Sequence, residues 1–433
     1  MKNNNFRTFV LFWATQSVSQ MGSAMSSYAL TIWAYSMTHA AMSVSLLTFC
    51  YYVPYIVISL FFGPVIDRHG KKQVMLLSDS TAAVCTLFAF FLWRSGGLQL
   101  RHIYIINMVI GMMNAFQAPA ESVTIGLLVP DDKQAAVSGM DSFAGNLVTT
   151  VSPILAVALY EAAGLGMVFL TDFVTFLFAS SVLLLYIRIP EPVCEHGQSA
   201  EVAPFAGIGE GFRFLRRHDV LLYLIATMAV MNFFSRLTYE NVLPPMLLAR
   251  SNGDAGALGI VSMVLGLGGI AGGLAVIFDK RARDPIKMVY WSAAVSFLCG
   301  DLPMGIGRNV FAWCAAGLAA SIPIPFITAG QRVLLYRDVP AELQGRVFSV
   351  RNAVQFGTIP IGILAGGFLA DHVFEPLMRS DTPAVRMLQF IVGAGDGSGM
   401  AVMFLCTGTL GSAFCILSYR RLKRSKSDGS SMT

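Results

Sequence analysis

Twelve apolar stretches, each long enough to cross a membrane, constrain the fold of this 433-residue chain more than any motif does. A helix needs about 20 apolar residues to cross a hydrocarbon layer about 30 Å thick. With 55% hydrophobic and 13% charged residues, the chain has too few charges to cover a soluble protein of this length. The sequence therefore predicts an all-α membrane protein with twelve transmembrane helices. The predicted spans are residues 8–34, 42–66, 74–94, 102–127, 138–160, 166–187, 219–248, 256–278, 287–306, 309–336, 346–371 and 398–419.

Lysine and arginine residues collect in alternate loops between these spans. Lys71, Arg213 and Lys287 lie on the same predicted side as the basic tail, residues 421–433. Cytoplasmic loops of membrane proteins carry such an excess of positive charge. The net charge of +5 therefore indicates orientation and no nucleic-acid partner. We expect a multi-pass protein of the plasma membrane, in contact with the lipid bilayer and with both termini in the cytoplasm.

A polar, proline-containing segment divides the spans into two groups of six. The predicted domains are an N-terminal bundle at 1–188, a cytoplasmic linker at 189–218 and a C-terminal bundle at 219–420. Leu128-Val129-Pro130 before the fifth span is matched by Asp338-Val339-Pro340 before the eleventh. Internal repeats of this kind are typical of secondary transporters, in which two halves move about a central site.

The loop between the second and third spans carries a turn with five residues of a known motif: Gly63, Asp67, Arg68, Gly70 and Lys72. This pattern resembles the loop signature of the major facilitator superfamily. The resemblance covers the whole chain and implies two pseudo-symmetric six-helix bundles. The sequence Gly345-Arg346-Val347-Phe348-Ser349 is similar to the macrolide-efflux-type branch of that family, whose members include drug:proton antiporters.

The resemblance also implies a role for the loop signature as a conformational latch. Asp67 would face the start of the eleventh span, near Arg346 and Arg351. Arg68 would reach Asp131 or Asp132 at the end of the fourth span. A carboxylate at a helix N-terminus and an arginine–carboxylate pair both stabilise the state in which they form. The alternative is that these charges only set the orientation of the chain.

Polar side chains recur at helical spacing on several otherwise apolar spans. Residues three or four apart share one face of a helix, so these stripes are candidates for the wall of a substrate cavity. The alternative is that they form hydrogen bonds between helices, as in other polytopic bundles. The candidate cavity residues are Gln16, Gln20, Ser23, Ser27, Asn107, Asn114, Gln117, Asn146 and Asn232.

Three charged residues within the spans are candidates for proton coupling: Glu121, Arg236 and Glu240. A charge at the centre of a membrane helix costs about 2.5–3.5 kcal/mol on insertion scales. A charged residue at such a position is therefore expected to have a structural or functional role. Arg236 and Glu240 lie four residues apart and can neutralise each other. Glu121 has no partner in its own helix, and an apolar cavity favours the protonated form of a carboxyl group. We therefore expect Glu121 first, and Glu240 second, to carry a proton.

The residue content of the predicted cavity favours a transporter of bulky amphiphilic compounds. The stripes hold amides and hydroxyls, and the chain contains 31 Phe and 22 Met, which form adaptable apolar surfaces. We expect export of a macrolide-like drug or a peptide-like natural product by proton antiport. A lysolipid flippase or a siderophore exporter of the same fold is the alternative, and a membrane-embedded enzyme is a remote one.

The sequence favours neither enzymatic chemistry nor a cofactor. All six His residues fall in loops or at the ends of spans, and there is no Walker phosphate loop, catalytic nucleophile–His pairing or C-x-x-C pair. We therefore expect no enzyme activity, no metal site and no cofactor, with an amphiphilic small molecule and protons as the partners of a monomer.

The latch hypothesis predicts that Asp67→Asn abolishes transport although the protein still inserts into the membrane. Asn keeps the shape of the side chain but removes the charge that would bind the helix end. Transport in vesicles, together with the amount of protein in the membrane fraction, tests this prediction. Full activity of the variant would contradict the latch.

Overall fold

The computed structural model describes residues 2–61, 70–129, 134–187, 212–278 and 284–430. Within these ranges the regular structure is helical and no strand occurs. The chain divides into two compact units, with the boundary at Ala200 and Glu201. Unit 1 contains the earlier residues except His39–Ser45, which group with unit 2.

Unit 1 is built from long helices. They are α1 (Lys2–Thr38), α2 (Ala41–Phe61), α3 (Lys71–Arg94), α4 (Leu100–Leu128) and α5 (Gln134–Leu185). The 52-residue α5 is interrupted at Gly164, whose φ of 76° is in the left-handed region that glycine adopts readily. This break separates the two predicted spans 138–160 and 166–187. Helix α1 packs against α5, and α3 packs against α4 and α5.

Unit 2 contains shorter and more irregular helices. They are α6 (Asp219–Thr238), α7 (Leu243–Arg250), α8 (Ala255–Phe278), α9 (Pro285–Ser296), α10 (Leu302–Ile306), α11 (Val310–Ser321), α12 (Ile324–Asp338), α13 (Ala341–Leu369), α14 (Glu375–Met378), α15 (Pro383–Val392) and α16 (Ser398–Ser430). Helix α6 packs against α13, α8 against α11, and α9 against α12 and α16.

Within the described residues, ten helical segments are long and apolar enough to cross a membrane. One of them, Phe143–Leu185, covers most of two predicted spans in 43 residues, on either side of Gly164. The first predicted span lies in α1, which is 37 residues long but is not among the ten. The helix-rich fold class predicted from the sequence agrees with this architecture.

Three irregularities of unit 2 shape its interior. Residues Phe297–Asp301 form a π-helix between α9 and α10, and Ala370–Phe374 form a second one after α13. The helix predicted at 309–336 is broken between α11 and α12, where Pro323 begins a new turn. Neither π-helix was predicted from the sequence.

Helix α15 is an element that the sequence analysis missed. It lies between the eleventh and twelfth predicted spans and has ten residues, too few to cross a membrane. Met387 and Phe390 are exposed, whereas Val385 and Val392 are buried. The helix is therefore strongly amphipathic.

Close helix packing in unit 1 depends on glycine at one position in particular. A Cβ on Gly111 of α4 would lie 2.2 Å from the carbonyl oxygen of Tyr51 in α2. No side chain can be accommodated there unless the two helices separate.

We therefore expect Gly111→Ala to lower the stability of the protein by about 1–3 kcal/mol, the usual effect of overpacking. Gly145→Ala is the matched control, since a Cβ on Gly145 meets no atom within 4 Å. Alanine in a helix should leave that variant as stable as wild type or slightly more stable. Thermal unfolding of both purified proteins measures the difference, and equal unfolding temperatures would contradict the packing argument.

Candidate functional site

Two carboxyl groups of unit 1 pair with amide side chains on neighbouring helices. The Nε2 group of Gln117 in α4 donates to Asp79 Oδ1 in α3 at 2.6 Å. The Nε2 group of Gln20 in α1 donates to Glu121 Oε1 in α4 at 3.4 Å. The helical spacing of the α4 stripe places Gln117 and Glu121 on one face, so α4 presents both residues to its neighbours.

Asp172 in α5 provides a third carboxyl group in this polar region. It is 6% exposed and accepts hydrogen bonds from Ser23 Oγ at 3.0 Å and from Thr86 Oγ1 at 3.3 Å. A cavity of about 30 Å³ is lined by Ser23, Asp79 and Asp172, among others. This volume is sufficient for a water molecule bridging polar groups.

Asp79 and Asp172 are not among the cavity residues predicted from the sequence. The structure joins them to the polar stripe, because Gln117 and Ser23 are stripe residues that bind them directly. Gln16 is buried in α1 and lies beside Asp79. Four of the predicted cavity residues therefore surround three carboxyl groups within unit 1.

Other stripe residues of unit 1 have different surroundings. Asn107 donates to the carbonyl oxygen of Leu47 at 3.1 Å, and Asn114 donates to the Tyr51 hydroxyl at 3.0 Å. Both amides therefore connect α4 to α2, which fits the interhelical alternative for them. Ser27 and Asn146 are exposed on unit 1.

The predicted latch falls largely beyond the part of the chain that the structure describes. Gly63, Asp67, Arg68 and Asp131 lie outside the described residues, and Arg346 is described only as part of the backbone of α13. Gly70 precedes the first turn of α3.

Lys72 of the same motif has a local role in unit 1. Its Nζ donates to the carbonyl oxygens of Leu184 at 3.0 Å and Ile187 at 2.9 Å. A lysine at this position satisfies carbonyl groups that the end of α5 leaves unpaired.

In unit 2 the predicted polar residues of α6 have partners. Asn232 Nδ2 donates to the Gln355 carbonyl at 3.1 Å and to Thr358 Oγ1 at 2.9 Å, which connects α6 to α13. Arg236 forms an ion pair with Glu240. The two charges compensate each other, as their spacing predicted.

Unit 2 encloses a cavity of about 480 Å³. Asn232 contributes to its wall, and Thr328, Gln331 and Arg332 line it from α12. Methionine, phenylalanine and isoleucine side chains supply apolar surface, including Met228, Met231, Phe297, Ile324 and Ile327. A cavity that combines apolar surface with convergent polar groups is typical of small-molecule sites.

Asp301, which lines this cavity, is not among the site residues predicted from the sequence. It is 1% exposed and lies at the end of the π-helix. The signal was present, because Asp301 is an acidic residue inside the predicted span 287–306. The criterion that selected Glu121 would also have selected Asp301.

No group of three or more His, Cys, Asp or Glu residues within the described ranges could hold a metal ion.

The pairing in unit 1 predicts that Gln117→Leu lowers stability by about 1–3 kcal/mol, because it leaves a buried carboxyl group without its hydrogen-bond donor. In the double variant with Asp79→Leu, part of this loss should be recovered, since no carboxyl group remains to be satisfied. Thermal unfolding of the wild type, both single variants and the double variant measures the coupling. Strictly additive effects would contradict a direct interaction.

Comparison with known proteins identifies the fold and the family. The sequence profile of the Major Facilitator Superfamily matches residues 12–365. Macrolide efflux protein A of Streptococcus pyogenes is 25% identical over 381 residues, which cover 86% of this chain and 92% of that protein. Multidrug efflux pump Tap of Mycolicibacterium fortuitum is 25% identical over 362 residues, covering 77% of this chain and 81% of that protein.

A solved structure has the same fold. The crystal structure of a bacterial homologue of the iron transporter ferroportin, in an inward-facing state, superposes with a TM-score of 0.68 at 14% identity. The alignment covers 96% of this chain and 99% of that one. These findings confirm the resemblance inferred from the loop motif and the span pattern. The chain is a multi-pass membrane protein and belongs to the Major Facilitator Superfamily of transporters.

Proposed function

We propose that this protein exports bulky amphiphilic compounds across the plasma membrane by alternating access, in exchange for protons. The similarity to macrolide efflux protein A over 86% of the chain is the observation that carries the substrate class. The basic residues of alternate loops and of the C-terminal tail support an orientation with both termini in the cytoplasm.

The cavity of unit 2 supports a substrate of mixed character. Its volume of about 480 Å³ is within the range of small-molecule sites. Methionine side chains and aromatic rings adapt to apolar groups of different shape, which suits a transporter with several related substrates. Asn232, Thr328 and Gln331 supply hydrogen-bonding groups in the same wall.

The carboxyl cluster of unit 1 supports coupling to protons. Glu121 has an amide partner on α1 but no cationic partner among the described ion pairs, so a proton can neutralise it. Asp79 and Asp172 are two further carboxyl groups of the same polar region, and they line one small cavity. Glu240 is a weaker candidate for the proton carrier, because Arg236 already compensates its charge.

The loop motif supports a conformational latch as part of the cycle. In this proposal Asp67 and Arg68 stabilise one of the two access states, with Asp131 and Arg346 as partners. The ligand and the proton then change the populations of the two states by binding them unequally.

Glu121→Gln should uncouple export from the proton gradient. Gln has the shape of a protonated glutamate but cannot release a proton, so gradient-driven accumulation in inverted vesicles should fall roughly tenfold or more. Erythromycin uptake, measured with and without an imposed pH gradient, tests this expectation.

Glu161→Gln is the matched control, because Glu161 is an exposed glutamate of the same unit. It should transport as the wild type does. An unchanged response of Glu121→Gln to the pH gradient would remove Glu121 from the coupling mechanism. Erythromycin uptake that is the same with and without the protein would contradict export of this class.

A further inference from the structure

Helix α15 lies where membrane spans of unit 2 end. Gln389 Nε2 of α15 donates at 2.9 Å to the carbonyl oxygen of Met378, the last residue of the candidate span Val350–Met378. The candidate span Ser398–Arg424 begins shortly after α15. Its 27 residues extend about 40 Å, which is the thickness of a bilayer with its head groups. The start of this span, and α15 beside it, therefore lie at the level of the membrane–water interface.

Two arginines from other parts of unit 2 hold the C-terminal end of α15. Arg250, the last residue of α7, donates to the carbonyl oxygen of Val392, the last residue of α15. Arg308, which follows α10, donates through Nη2 to the carbonyl oxygen of Phe390 at 3.0 Å. The last carbonyl groups of a helix have no partner within it, and the helix dipole favours a cation there. These contacts fix α15 against the ends of the neighbouring helices.

The side of α15 that faces away from the protein is apolar. Pro383, Met387 and Phe390 are spaced four and three residues apart, so they share one face of the helix. Met387 is 69% exposed and Phe390 is 86% exposed. The polar residues of α15 are Arg386 and Gln389. Since another side of the helix is buried against the protein, the exposed apolar face requires a second apolar surface to cover it.

The neighbouring span indicates which surface this is. Helix α15 packs against α16. Leu410 and Leu417 of α16 are 59% and 63% exposed, and they lie seven residues apart on one face. The surroundings of an exposed leucine within a membrane span are lipid acyl chains. The bilayer that covers α16 therefore reaches α15 at the depth where α16 begins.

We propose that α15 is a lipid-binding helix that lies along the membrane interface on the side opposite the C-terminal tail. Met387 and Phe390 insert between the acyl chains of that leaflet, to a depth of about 5–10 Å as in other interfacial helices. The helix thereby anchors the connection between α13 and α16 to the membrane. This lipid-binding role is additional to the proposed export of amphiphilic compounds and does not depend on it.

The charged groups around α15 fit the head-group layer of a phospholipid. Arg386 donates through Nε and Nη2 to the two carboxyl oxygens of Asp381 at 2.8 and 2.9 Å, and both side chains are exposed. Arg308 is exposed as well, and the guanidinium N–H groups that it does not use on α15 can donate to phosphate oxygens. Zwitterionic head groups carry charges of both signs and therefore complement this mixed set.

Fluorine NMR of the full-length protein in phosphatidylcholine nanodiscs tests the proposal. Phe390 is replaced by 4-trifluoromethylphenylalanine, which keeps the ring and introduces the protein's one fluorinated side chain. Because Phe390 is 86% exposed, the added group does not disturb the core. Line broadening is measured with three paramagnetic probes: phosphatidylcholine with a nitroxide near the head group, phosphatidylcholine with a nitroxide at the end of an acyl chain, and a water-soluble gadolinium chelate.

We expect the nitroxide near the head group to broaden the signal at position 390 at least about threefold more than the gadolinium chelate does, because the apolar face lies below the head groups. The same replacement of Leu410 is the matched control. Leu410 is an exposed residue in the middle of the span Ser398–Arg424. The nitroxide at the end of the acyl chain should broaden its signal most.

Two results would overturn the proposal. Stronger broadening at position 390 by the gadolinium chelate than by either lipid nitroxide would place the apolar face in water. Protection from all three probes would show that protein covers this face, as in a dimer of two copies of the chain. The position 410 control distinguishes such protection from failure of the lipid probes to reach the protein.

Discussion

The interior of this protein depends on one repeated interaction, in which a carboxyl group on one helix accepts a hydrogen bond from a neutral donor on another. Gln117 pairs with Asp79 and Ser23 with Asp172 in unit 1, and Thr407 pairs with Asp301 in unit 2. A carboxyl group alone in an apolar layer would be too costly, and a cationic partner would fix it in the charged form. A neutral donor keeps the group in place and allows it to gain or lose a proton.

The hydrogen-bond partners of a polar side chain distinguish structural from functional groups. The position of the residue in its helix does so less clearly. Asn107, Asn114 and Asn232 use their amide groups to connect neighbouring helices, and Arg236 is neutralised by Glu240. Gln331 keeps its Nε2 atom without a partner at the surface of a cavity. A polar group that can bind a ligand is therefore recognised by an unpaired hydrogen-bond donor or acceptor at a cavity. Polarity alone does not identify it.

The sequence was sufficient for the helical membrane fold, because the length of apolar runs and the need to satisfy every backbone group leave few alternatives. The break near Pro323 agrees with the chemistry of proline, which cannot continue the hydrogen-bond ladder of a helix. The sequence did not predict the π-helix before α10 or the short α15, because both depend on packing against neighbours. Span lengths alone carry no information about either.

The candidate site was predictable to a similar degree. Periodicity identified the polar faces of α1 and α4, but it could not distinguish Gln117, which binds a carboxyl group, from Asn114, which binds a tyrosine hydroxyl.

The π-helix between α9 and α10 affects the direction of the side chains that follow it. It differs from an α-helix by one extra residue in a turn, so conversion to regular α-helix would rotate the segment after it by about 100°. The side chain of Asp301 lies at this point, and a one-residue change of helical register would turn its carboxyl group away from the cavity without any hinge between domains.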